Sequence, residues 1–148
     1  MSPLLFAYGS NLSVAEMAEF APEARFAGIA RLPGFALELR RRSIRWGGGA
    51  ADIVEREGEE VWGVLYEVHD LDALDAKEGT GFAYRRRELD VMTDQGERQA
   101  VAYEVIDKEP KEVAPTREYS ELLLSGARER GLPDAYIAVL ERRLGSAT

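Results

Sequence analysis

Between Arg25 and Val105 the chain is a succession of short segments rich in β-branched and aromatic residues, each bounded by turn-forming residues. Helical patterns dominate only after Thr116. This order, strands first and helices gathered at the C-terminal end, predicts an α+β fold with a mostly antiparallel, small, twisted, barrel-like sheet and a few short helices. Roughly six or seven segments qualify as strands on length and residue type.

Leu4 to Tyr8 is a nearly continuous apolar run ended by Gly9-Ser10-Asn11, which reads as a buried strand entering a tight turn. Ser13-Val14-Ala15-Glu16 fits a capping box and opens a short helix through about Phe20. Arg25 to Arg31 and Phe35 to Arg41 read as two strands joined at Pro33-Gly34, the second alternating cleanly between apolar and polar positions. Ser43 to Ala50, with Gly47-Gly48-Gly49, is expected to be a flexible or closely approached loop. Ala51 to Val54 and Val61 to Val68 read as a hairpin about Glu57-Gly58-Glu59. Asp70 or Asp72 then caps a short helix that Gly79 stops. Tyr84 to Met92 and Arg98 to Val105 form a second hairpin about Asp94-Gln95-Gly96. A charged loop from Asp107 to Pro115 leads to two helices, Thr116 to Arg130 and Pro133 to Leu144, with Gly131 and Gly145 at their ends.

Composition narrows the chemistry. A chain of 148 residues with 45% apolar content is read as one domain, residues 1–148, able to bury a core without staples. No Cys is present, which excludes disulfides, Fe–S clusters, zinc fingers and thiol nucleophiles. The one histidine, His69, excludes any site that needs two. A net charge of −8 argues against a nucleic-acid or anionic-membrane surface as the main partner. The N-terminal stretch lacks the basic leader of a signal peptide, and no apolar run approaches the ~20 residues of a membrane helix. A cytoplasmic protein is expected. Carboxylate, hydroxyl and backbone chemistry remain.

Phe6-Ala7-Tyr8-Gly9-Ser10-Asn11-Leu12 is the most informative stretch. A strand that turns sharply through Gly just before a helix can aim successive backbone N–H groups at one point, as an anion or oxyanion site does. On local chemistry alone the same residues also suit an ordinary turn. The stretch resembles the Tyr-Gly-Ser-Asn signature of the γ-glutamylcyclotransferase-like family, which includes γ-glutamylamine enzymes and plant avirulence-induced proteins. Further resemblances follow in order: Ala30 to Phe35, Trp46-Gly47-Gly48, Glu60 to Tyr66, Leu74 to Gly79 and Gly131-Leu132-Pro133.

The resemblance implies a mixed α/β structure around a small twisted barrel. It implies release of 5-oxoproline from a γ-glutamyl amide, in which the substrate's α-amine attacks its own γ-carbonyl and expels the attached amine. Neither cofactor nor metal is implied. Glu78, in Lys77-Glu78-Gly79, resembles the family's catalytic glutamate. Its place at the end of a short helix, where the helix dipole disfavours negative charge, suits a carboxyl used as general acid and base. By the same resemblance Leu5, Phe6, Ala7, Tyr8, Gly9 and Ser10 form the substrate-binding stretch, largely through backbone N–H groups, with Asn11 beside them. Tyr8 and Asn11 are equally readable as structural. Tyr119 resembles a tyrosine placed against the substrate, although its spacing with Leu122, Leu123 and Gly126 also suits a core position. The implied partner is a small γ-glutamyl substrate, with a homodimer by analogy alone. The alternative is a non-catalytic module that binds a γ-glutamyl or acidic metabolite.

Other signals carry less. Arg40-Arg41-Arg42 with Arg45 is expected to be a solvated edge, with a lesser reading in which one arginine meets a substrate carboxylate. Gly79-Thr80-Gly81 and Gly47-Gly48-Gly49 match no phosphate-loop or dinucleotide pattern. His69 is expected to be exposed.

Overall fold

A computed structural model describes residues 3–78 and 83–145. In chain order it contains β1 (Leu4–Ala7), a 3₁₀ turn (Ser10–Leu12), α1 (Val14–Phe20), β2 (Arg25–Ser43), β3 (Gly48–Glu67) and α2 (Asp72–Glu78). These are followed by β4 (Tyr84–Thr93), β5 (Gly96–Val105), α3 (Arg117–Glu129) and α4 (Asp134–Arg143). The strands close into a barrel in the order β1-β3-β2-β4-β5. Its ladders are antiparallel except for the Leu5–Val101 pair, where β1 meets β5 in parallel and completes the ring. Closure gives each of the five strands two neighbours in the ring. The expected α+β barrel-like sheet is therefore what the chain forms.

The strand count differs from the sequence reading, and the reason is physical. Arg25–Arg31 and Phe35–Arg41 are parts of the single strand β2, and the expected hairpin about Glu57-Gly58-Glu59 is part of the single strand β3. The two turn signals face each other across the β2–β3 ladder. Pro33 pairs with Glu60 and Phe35 with Glu55, so the register slips there and the chain does not reverse. Gly34 and Gly58 take left-handed φ values of 80° and 85°, which accommodate this bulge. Buried Leu32 and Val61 before the slip, and Phe35 and Ile53 after it, keep both halves on the same core. The bulge bends one long hairpin enough to wrap the barrel.

The tip of that hairpin is short. β2 continues through Ser43 and β3 starts at Gly48, leaving only residues 44–47 as a turn. The Gly-rich stretch is thus closely approached and not a flexible loop. A Cβ on Gly49 would lie 1.8 Å from the Val113 carbonyl oxygen, and the Gly49 N–H donates 2.9 Å to the Ala114 carbonyl. The segment after β5 packs in this way along β2, with Val113 N–H donating to the Leu39 carbonyl at 2.9 Å.

Short contacts also clamp the segment after β1. A Cβ on Gly63 would sit 2.2 Å from the Ala7 carbonyl oxygen, and one on Gly126 would sit 2.7 Å from the Leu12 backbone. β3 and α3 therefore hold the Ala7–Leu12 stretch from two sides. The helix ends follow the expected chemistry. Ser13 Oγ accepts from Glu16 N–H at 3.2 Å, and Thr116 Oγ1 accepts from Tyr119 N–H at 3.2 Å. The reciprocal arm of the Ser13 capping box is absent, because the Glu16 carboxylate turns to Arg45 and Lys77. Asp70 Oδ1 accepts from Asp72 N–H at 2.8 Å at the start of α2. Gly79, expected to stop that helix, and Thr80-Gly81 lie outside the described residues. No helix among the described residues is long and apolar enough to cross a membrane.

Candidate active site

β1 ends at Ala7, and the chain then crosses one end of the barrel as the turn Tyr8–Asn11. A cavity of about 200 Å³ opens beside this turn. Distant parts of the sequence line it: Phe6 to Asn11, Arg41 and Ser43 to Trp46 at the β2–β3 tip, Ala50-Ala51, Ala76 to Glu78 on α2, and Tyr84, Tyr103 and Tyr119. Of the residues singled out from sequence, Phe6, Ala7, Tyr8, Gly9, Ser10, Asn11, Glu78 and Tyr119 all reach it. Leu5 does not line it and packs in the core at 1% exposure.

Glu78 is the last residue of α2 and only partly exposed. Burial pushes its carboxyl above the ordinary value; the charges of Lys77 and Arg45 oppose this rise and that of Glu16 adds to it. The ionised carboxylate in turn raises the phenols of Tyr8, Tyr84, Tyr103 and Tyr119, each already pushed up chiefly by burial. Glu78 thus faces neutral hydroxyls from four separate elements. A carboxyl raised in this way and set in a cavity suits general acid and base work.

The phenols are anchored. The Ala51 N–H donates 2.8 Å to the Tyr119 hydroxyl, and the Tyr84 hydroxyl donates 3.0 Å to the Ala51 carbonyl, so two tyrosines grip the backbone of one residue from both sides. Tyr8 donates a short hydrogen bond to the Tyr103 carbonyl, and the Tyr103 hydroxyl donates 2.7 Å to Asp75 Oδ1. Tyr8 and Tyr119 therefore combine structural bonds with a place in the cavity wall. Gly9 is closely approached: a Cβ there would meet Ala51 Cβ at 3.3 Å and the Tyr119 hydroxyl at 3.6 Å. Among the described residues, the N–H groups of Gly9 and Ser10 have no protein acceptor. That leaves two backbone donors beside the cavity.

Cations supply what the sequence reading missed. Lys77 Nζ donates 2.5 Å to Asn11 Oδ1 and 3.1 Å to Ser10 Oγ, and lies 3.1 Å from Glu16 Oε1. Its side chain is 2% exposed and sits 5.0 Å from the Phe20 ring centroid. Arg45 lies over Phe20 and Trp46 at 5.0 and 4.6 Å and pairs with Glu16 at 3.0 Å. Arg40 is satisfied by Glu38 at 2.7 Å and by the Pro110 carbonyl at 2.9 Å. Arg41 lines the cavity and forms no ion pair or hydrogen bond with another described residue. Within the Arg40–Arg45 run, Arg42 and Arg45 are exposed as a solvated edge is, while Arg41 and Arg45 also line the cavity. Period-2 alternation offered the one available hint, because it sets Arg41 on the face opposite Arg40 and Arg42. His69 is exposed, as expected. Among the described residues, no group of three His, Asp or Glu side chains converges as metal ligands do.

Comparisons with known proteins point one way. The AIG2-like family model matches residues 60–140. A gamma-glutamylcyclotransferase of Bos taurus is 37% identical over 141 residues, covering 90% of this chain and 74% of that protein. The Homo sapiens protein of the same name is 34% identical over 140 residues with the same coverage. A solved structure of a gamma-glutamyl cyclotransferase superposes with a TM-score of 0.89 at 34% identity, over 95% of this chain and 87% of that one.

Proposed function

Because the chain belongs to the γ-glutamylcyclotransferase family, we propose that it releases 5-oxoproline from γ-glutamyl amides, with Glu78 as general acid and base. The observation that carries this reading is the meeting of Glu78 and the Gly9–Ser10 turn in one cavity. The reaction asks little of the protein, since nucleophile and electrophile belong to the same molecule. Holding the glutamyl chain folded lets its α-amine approach the γ-carbonyl, which supplies much of the rate as alignment.

Glu78 takes a proton from the α-ammonium. The freed amine attacks the γ-carbon, a new C–N bond closes the five-membered ring, and the carbonyl oxygen becomes an oxyanion. The Gly9 and Ser10 amides are the donors nearest in kind to an oxyanion hole. The protonated Glu78 then gives that proton to the leaving nitrogen as the old C–N bond breaks, and the carboxylate so regenerated takes the second proton from the ring nitrogen and passes it to the departing amine, which leaves as an ammonium. Arg41, with no protein partner among the described residues, offers its guanidinium to a substrate carboxylate. This answers how a chain of net charge −8 holds an anion: local cations and amides act, not the overall charge.

The enzyme is favoured over a non-catalytic binding module by the relatives it matches. We read residues 1–148 as one domain, since one core runs from Leu5 to Leu144. Cytoplasmic placement and a homodimer complete the reading, the latter open to light scattering. The deciding experiment incubates the protein with γ-glutamyl dipeptides, γ-glutamylamines and glutathione and follows 5-oxoproline by mass spectrometry. Turnover that disappears in Glu78→Gln, with the circular dichroism spectrum retained, supports the reading. Full activity in that variant removes Glu78 from the mechanism.

A further inference from the structure

Lys77 stands out because a lysine is rarely removed from water unless it has work to do. Its side chain is 2% exposed, yet it is not at the end of a simple ion pair. One ammonium reaches three acceptors on two elements: Asn11 Oδ1 at 2.5 Å and Ser10 Oγ at 3.1 Å on the turn, and Glu16 Oε1 at 3.1 Å on α1. With three donors, it is fully used by these three acceptors. The same residue immediately precedes Glu78, so the tether runs from the amide-bearing turn to the helix end that carries the carboxyl.

Resting on the function read above, we propose that Lys77 is a positioning residue that sets the gap between the Gly9–Ser10 amides and Glu78. α2 has seven residues; Asp75 ties it to β4 and β5 through Arg86 and Tyr103, and Lys77 ties it to the turn. Without this ammonium the turn and α2 would be held together mainly by general packing. A misplacement of about 1 Å at a reacting centre costs about a hundredfold in rate.

The charge has a second effect through the same placement. Glu78 is faced by Lys77 beside it, Glu16 on α1, Arg45 on the hairpin tip, Tyr8 on the turn, Tyr84 on β4, Tyr103 on β5 and Tyr119 on α3. Of the charged groups, Lys77 and Arg45 favour the ionised carboxylate and Glu16 disfavours it, and Lys77 is the stronger of the two cations. Removing the ammonium leaves burial less opposed, so Glu78 holds its proton to higher pH.

Four variants, Lys77→Arg among them, separate tether from charge. Lys77→Met removes both, Lys77→Gln keeps polar contact without charge, and Asn11→Ala cuts one tether while leaving the charge. The readouts are the pH profile of kcat/KM, and kcat and KM separately, with folding followed by circular dichroism. We expect kcat to fall at least tenfold in Lys77→Met. The acid limb should move up by about one pH unit in Met and Gln, the scale of one nearby charge. Asn11→Ala should lower kcat with the limb in place, and Lys77→Arg should restore the limb. If Met and Gln variants keep kcat within twofold and an unmoved limb, the proposal is overturned. Should Lys77→Met fail to fold, the Gln and Asn11 variants decide it alone. A wild type that turns over no γ-glutamyl substrate overturns the functional reading instead, which is a different outcome.

Discussion

The Tyr119 hydroxyl accepts a 2.8 Å hydrogen bond from the Ala51 amide. A helix and a barrel strand 68 residues apart in sequence are joined there, at the wall of the cavity. The bond uses one lone pair of the phenol and leaves its O–H to donate inward.

Tyr119→Phe is expected to leave the Ala51 N–H buried without an acceptor, at a cost of about 1–3 kcal/mol in chemical denaturation. It should also lower kcat/KM. A purely structural tyrosine would lower stability and leave the kinetics of the folded fraction unchanged.

Glu78→Gln should abolish 5-oxoproline release and, at pH 7, raise the melting temperature. The sign follows from the shift. In the folded protein the carboxyl lies above its ordinary value of 4.5, so between those two pKa values the folded state binds more protons than the unfolded. Wild-type stability therefore falls as pH rises through that window. The advantage of the Gln variant should vanish below about pH 4. Equal melting curves at pH 7 would show that the carboxyl is not strained by burial.

Asp52 is fully buried, accepts from the Val105 N–H at 2.9 Å and has Lys108 Nζ 2.8 Å from its other oxygen. Burial pushes its carboxyl up, against Lys108 and backbone donors. Lys108→Met should destabilise by about 3 kcal/mol at pH 7, because it strands a buried charge. Asp52→Asn should cost less, since the amide oxygen still accepts from Val105. The double variant should lose less than the sum of the two, as read from urea midpoints.

Gly49→Ala places a methyl group 1.8 Å from the Val113 carbonyl oxygen, a backbone atom. The segment over β2 must move, and a loss of at least about 1–3 kcal/mol in thermal or urea unfolding is expected. A neutral result would mean that this segment lifts freely.

Arg41→Gln should raise KM about tenfold, the scale of one charge-assisted hydrogen bond, with the effect falling on KM more than on kcat. An unaltered KM would show that the arginine does not meet the substrate. Steady-state kinetics on a γ-glutamyl dipeptide decides the point.

Local chemistry makes much of this legible in the sequence. β4 and β5 lie within one or two residues of their expected bounds, because alternation and the Asp94-Gln95-Gly96 turn specify them without help. α3 and α4 likewise follow their caps at Thr116 and Pro133. β2 and β3 are misread as four strands for an equally local reason. Pro33-Gly34 and Glu57-Gly58-Glu59 are turn sequences, and only their pairing with each other makes them a bulge. The site divides in the same way. Tyr8 to Asn11, Glu78 and Tyr119 are readable as a motif, whereas Arg41, Lys77, Tyr84 and Tyr103 arrive through barrel closure and helix docking. No window of neighbouring residues encodes those meetings.

The tip of the long hairpin is pinned at both sides by the ladder from Arg41–Ala50 to Ser43–Gly48, and beyond it Ile44 stands 95% exposed while lining the cavity. Its side chain contributes almost nothing to the core and stands at the rim of the cavity. Substitutions there are nearly free for folding, because almost no surface of the side chain is buried. A change at this rim therefore alters the cavity's mouth while leaving the packing of the barrel untouched.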